Sequence, residues 1–172
     1  LGGGYVPIGA VIAHKKVVDA IANGSGILEH SYTFAGMPIA TAGANAVVKY
    51  IIDNDIVALS AKNGAILLQK LKDALGDIPA VGDVRGIGML AGVELVSDRE
   101  SKTPFDPKLG IAGKIAAYCL DKGVMVLSGV TGTSDGIVGD ALQISPALTM
   151  TPEEMDVAIA ILREAIISVT AI

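Results

Sequence analysis

One cysteine, two histidines, no basic block and no long apolar run mark what this 172-residue chain does without. Cys119, inside KIAAYCLDKG, has no second cysteine to pair with. A lone thiol on an apolar stretch reads as buried and reduced, and the expected compartment is the cytoplasm. His14 and His30 lie far apart, and neither has paired His, Cys or Asp at ligand spacing, so a zinc site is not expected. The net charge of −5 is spread without a cluster of Lys or Arg, which argues against nucleic acid as a partner. A membrane span needs about 18–20 consecutive apolar residues. KYIIDNDIVALSAK is broken by Asp53 and Asp55, and REAIISVTAI is too short. No secretory signal is visible. The chain does not open on methionine but on LGGGYVPIGA, which reads as the interior of a longer protein.

Apolar residues are plentiful, at 51%, enough for a sizeable core. YVPIGAVIAH, Tyr5 to His14, is apolar with several β-branched residues and reads as a buried strand. KKVVDAIANG reads as a short helix closed by Asn23 and Gly24. Pro38 opens a small-residue helix, IATAGANAVVKYIIDN. A second helix, DIVALSAKNGAILLQKLKDALG, carries Leu68, Leu71 and Leu75 as its stripe and Gly76 as its cap. The texture then changes. VGDVRGIGMLAGVELV reads as one or two strands, SDRESKTPFDPK as a polar loop, and LGIAGKIAAYCLDKG as a helix stopped by Gly123. VMVLSG and DALQISPAL read as strands joined by GVTGTSDGIVGD. In the last helix Thr151 is the N-cap, Pro152 takes the first helical position and Glu154 closes a capping box. Met155, Ile159, Leu162 and Ile166 mark its buried face.

Three stretches invite chemistry. GIGMLA, Gly86 to Ala91, matches a dinucleotide fingerprint by letter. That motif needs a helix starting at the glycines to hold a pyrophosphate, whereas MLAGVELV continues as strand, so the glycines read as a bend or bulge. Arg85 needs a carboxylate or carbonyl partner; it either ties a strand to a loop or binds a substrate carboxylate. HSYTFAGMP, His30 to Pro38, sets the hydroxyls of Ser31, Tyr32 and Thr33 just ahead of a helix start. Such a segment either gathers an anion such as phosphate or is a turn with local hydroxyl-to-backbone bonds.

Four segments in series, LGGGYVPIGAV, HSYTFAGMPIATAGANAVV, VGDVRGIGMLAGVELV and GDALQISPALTMTPEEMD, resemble the class III (ω-amino acid) aminotransferases in order and in gaps. The resemblance runs over nearly the whole chain. It implies fold type I and pyridoxal 5'-phosphate as cofactor, with this chain as the C-terminal part. Residues 1–58 would end the large cofactor-binding α/β domain and residues 59–172 would form the small C-terminal α+β domain. The family's Schiff-base lysine would fall a residue or two before Leu1, so no catalytic residue is expected in this chain. By resemblance, Thr33, assisted by the backbone of Tyr32 and Thr33, binds the cofactor phosphate of the neighbouring subunit, which implies a homodimer or larger assembly. Met37 departs from the family pattern, where a small polar residue or His is common.

Gln143 stands where some members carry an arginine that grips the substrate α-carboxylate. Glutamine can hydrogen-bond a carboxylate without forming a charged fork. No Arg or Lys occurs between Gly123 and Met150. Ala147 replaces the second proline of the family's paired prolines. The resemblance therefore implies a transaminase that moves an amino group from an amine or ω-amino acid to a keto acid such as pyruvate. Aminomutase, epimerase and decarboxylase activities occur in the same family and stay open. So does a non-catalytic truncated interaction module.

Overall fold

The computed structural model describes residues 1–129 and 139–171. It falls into two compact units, Leu1–Asp55 and Ile56–Ile172. Most of the joining loop GVTGTSDGIVGD lies outside the described residues.

The first unit holds two helices. α1 spans Lys15–Asn23 and starts where the His14 imidazole accepts a hydrogen bond from the Lys16 amide. α2 spans Pro38–Asp53, with Pro38 in its first turn. Its small face lets the chain approach closely: a Cβ on Gly43 would sit 2.9 Å from the Val6 side chain. The strand expected over Tyr5 to His14 is not there. β-Branched composition signals a strand, but a strand exists only where a neighbour takes its backbone hydrogen bonds. Among the described residues this stretch has no such neighbour, and Val11 and Ile12 are each 96% exposed.

The second unit is a sheet covered on one face by helices. α3, Ile56–Leu75, leads into β1, Val81–Ile87, and β2, Leu90–Leu95. α4, Ile111–Asp121, follows a 3-10 turn at Pro107–Leu109. β3, Leu127–Ser128, and β4, Asp140–Ile144, complete an antiparallel sheet in the order β1-β2-β4-β3. α5 is Pro152–Thr170. β3 is shorter than VMVLSG suggests, and β4 stops before Pro146, which has no amide to give a ladder.

Alternation sorts the sheet into two faces. Val84, Val93 and Leu142 point into the core with Leu71 and Leu75 of α3, Ile115 and Cys119 of α4, and Met155 and Ile166 of α5. Burying one such aliphatic side chain is worth about 1.5–3 kcal/mol. The α3 stripe runs through Leu67 more than Leu68: Leu67 is 2% exposed, while Leu68 is only partly buried. The GIG stretch is a hairpin, with Gly88 at φ +54° in the turn between β1 and β2. The one irregularity in that ladder lies at the other end, between Val81 and Asp83.

Candidate functional site

The segment His30 to Pro38 folds as two successive turns. The Ala35 amide donates to the Tyr32 carbonyl at 2.9 Å and the Met37 amide to the Phe34 carbonyl at 3.2 Å. Gly36, at φ +71°, permits the second. The rings of His30 and Tyr32 meet edge to face, centroids 4.8 Å apart. The turns deliver the chain to α2, whose N-cap, Met37, has no side-chain oxygen to offer the first amides. Thr41, the first hydroxyl inside α2, bonds back to the carbonyls of Met37 and Pro38 at 3.1 and 3.0 Å and so leaves those amides open. A helix start with open amides is electropositive.

Ser31, Tyr32 and Thr33 are exposed. Among the described residues none of their hydroxyls has a hydrogen-bond partner, and the amides of Thr33 and Phe34 have no acceptor. The turn weighed from sequence forms, but through backbone bonds and not through local hydroxyl-to-backbone bonds. These donors face solvent, where an incoming acceptor such as a phosphate could reach them.

Gln143 lies in the second unit, on the outer face of β4. The register sets one row across the sheet: Arg85 on β1, Gly92 on β2, Gln143 on β4 and Leu127 on β3. Arg85 is committed within its hairpin, with one guanidinium nitrogen 2.8 Å from Asp83 and 2.7 Å from Glu94. The guanidinium holds the Asp83 carboxyl below its ordinary value, and hydrogen bonds to Asp83 and Glu94 raise that of Arg85. The carboxylate partner expected for Arg85 is present, but the tie runs between the two strands of the hairpin and not from a strand to a loop. Gln143 keeps its amide largely free, with one long hydrogen bond of 3.4 Å to the Ser145 hydroxyl. It also borders a cleft of about 580 Å³ between the β3–β4 side of the sheet and α5, lined mainly by Val126, Ile144, Pro146, Met150 and Met155.

Two buried polar residues went unread in the sequence. Asp140 and Asn63 are each 7% exposed. Asp140 accepts from the Ala112 amide at 3.1 Å and so caps α4, whose own N-cap is Gly110. The Asn63 amide donates to the carbonyls of Met150, at 3.2 Å, and Leu148, at 3.4 Å. Asn63 carried a legible signal: it stands four residues before Leu67 and eight before Leu71, on the buried stripe. Asp140 carried none, because its partner is 28 residues away. Cys119 is fully buried, and burial pushes its thiol up, away from reactivity.

Comparison with known proteins gives one consistent result. The sequence model of the class-III aminotransferases matches residues 1–166. An aminotransferase of Gibberella zeae is 36% identical over 168 residues, which is 97% of this chain and 33% of that protein. Among solved structures, a transaminase from a marine Virgibacillus superposes with a TM-score of 0.89 at 30% identity, over 97% of this chain and 37% of that one. An amine transaminase from an uncultivated Pseudomonas species, in its PLP-bound form, gives 0.85 at 34% identity, over 96% and 36%. The chain thus spans about a third of the length of the relatives it matches.

Proposed function

The chain belongs to the class III aminotransferases, and from that premise we propose that it is the C-terminal part of a transaminase whose cofactor phosphate is held by Thr33. The fold is that of the C-terminal part of fold type I, and the family's cofactor is pyridoxal 5'-phosphate. The single observation that carries the proposal is that the exposed donors at Thr33 stand just ahead of the uncapped start of α2.

The phosphate belongs to the cofactor of the neighbouring subunit, so the active unit is a homodimer or larger. Thr33 would donate its hydroxyl, the backbone of Tyr32 and Thr33 would assist, and the α2 dipole would favour the charge. When bound, the cofactor supplies the electron sink for moving an amino group between carbon skeletons. The lysine that carries it is proposed to precede Leu1. Residues 1–58 are assigned to the large domain and 59–172 to the small one.

Gln143 is proposed to face the substrate. It offers a neutral amide where a charged fork would select an α-carboxylate, and the nearest arginine in its sheet row, Arg85, is occupied by Asp83 and Glu94. This supports an amine or ω-amino acid as donor, and a keto acid such as pyruvate is proposed as acceptor. The buried thiol of Cys119 supports a reducing, cytoplasmic setting.

The test is Thr33→Ala in the full-length enzyme, with cofactor affinity read by absorbance titration. A charge-assisted hydrogen bond is worth about 1.5–3 kcal/mol, so affinity should fall about tenfold or more. Unchanged affinity removes Thr33 from the site.

A further inference from the structure

We infer that Asn63 is a positioning residue: from α3 it fixes the end of β4 that presents Gln143, and through it the affinity for a substrate carboxylate. The inference rests on the proposal that Gln143 faces the substrate.

Three observations converge on one end of the sheet. First, β4 leaves the ladder after Ile144, which pairs with Ala91, and the chain turns through Ala147 to Met150 before α5 begins. That turn has a single backbone bond of its own, from the Met150 amide to the Ala147 carbonyl at 3.0 Å. Second, Asn63 spans the same turn from outside, bonding the carbonyls of Leu148 and Met150 with one amide nitrogen. It is one of two buried polar residues among the described ones, and the other, Asp140, anchors the opposite end of β4 to α4. Third, the next residue, Gly64, presses on the β1–β2 turn so closely that a Cβ there would lie 2.1 Å from the Gly88 carbonyl oxygen. Residues 63 and 64 therefore hold both connections at the end of the sheet where Gln143 lies.

A helix interior disfavours asparagine and glycine, by up to about 1 kcal/mol for glycine. Two adjacent residues of poor helix propensity on a buried stripe are explained by what they touch. Leucine at 63 would extend the apolar stripe but leave two carbonyls without their donor. The amide serves geometry: it sets where β4 ends and hence where the amide of Gln143 and the hydroxyl of Ser145 stand.

The test uses the full-length, cofactor-loaded enzyme. Asn63→Asp keeps the shape and removes the donor. We expect KM for the best keto-acid acceptor to rise about fivefold or more, with kcat changed less than twofold. Hydrogen exchange of amides 147–150 should quicken, while the middle of α5 stays protected. Gln143→Ala should raise the same KM, and the double variant should be no worse than the poorer single one. If Asn63→Asp does not accumulate, Asn63→Ser replaces it, since its short hydroxyl reaches one carbonyl at most; a threefold rise is then expected. An unchanged KM in the Asn63 variant beside a raised KM in Gln143→Ala overturns the inference alone. An unchanged KM in Gln143→Ala overturns the reading of Gln143 itself.

Discussion

At the scale of the residue, charge is spent on holding the second unit together. Arg85 joins Asp83 and Glu94 across the β1–β2 hairpin, and Arg163 of α5 grips Asp77 in the α3–β1 connection. Because Arg85 lowers the Asp83 carboxyl, the sign of its acid response is fixed. A carboxylate depressed in the folded state adds stability above its unfolded value, about 3.9. That stability is lost as pH falls through the lowered value. Wild-type protein should therefore exceed Asp83→Asn in urea-unfolding stability at pH 7 by the roughly 0.2–1 kcal/mol that exposed pairs supply. The difference should hold down to about pH 4 and vanish below it. A difference that grows in acid would show that Asp83 is not held this way.

At the scale of the element, local signals carry most of what was readable. The capping box at Thr151 is complete: the Glu154 amide donates to the Thr151 hydroxyl at 3.3 Å and the Thr151 amide to the Glu154 carboxylate at 2.8 Å. Thr151→Ala should cost about 1 kcal/mol, read as a lowered urea midpoint with an unchanged slope. An unchanged midpoint would mean that tertiary packing alone sets the start of α5. The five α-helices among the described residues were legible for the same reason, since caps, Pro38 and apolar periodicity are all local. The hairpin was legible as strand, but its turn was not: GIG reads as a bend until Gly88 is seen at positive φ. Tyr5 to His14 misled because strandness belongs to a pair of segments and the sequence displays one. Asp140 was illegible because its partner, the Ala112 amide, is non-local. Asn63 was legible in principle, as a polar residue in phase with Leu67 and Leu71. For the site, HSYTFAGMP alone left phosphate and turn open, and the exposed hydroxyls and the uncapped start of α2 are what the phosphate proposal is built on.

At the scale of the whole molecule, the central claim is that Thr33 serves a cofactor belonging to another subunit. A claim about two chains is tested best by mixing two chains. In the full-length enzyme, one variant carries Thr33→Ala and the other lacks the cofactor-bearing lysine. Each is assayed alone at limiting cofactor, then after dissociation and reassembly together. If Thr33 acts across the interface, a hybrid dimer pairs the intact lysine of one protomer with the intact Thr33 of the other and recovers one sound site. The account predicts activity in the mixture well above the sum of the two variants. Activity no greater than that sum would contradict it, and would place Thr33 in its own subunit's site or in none.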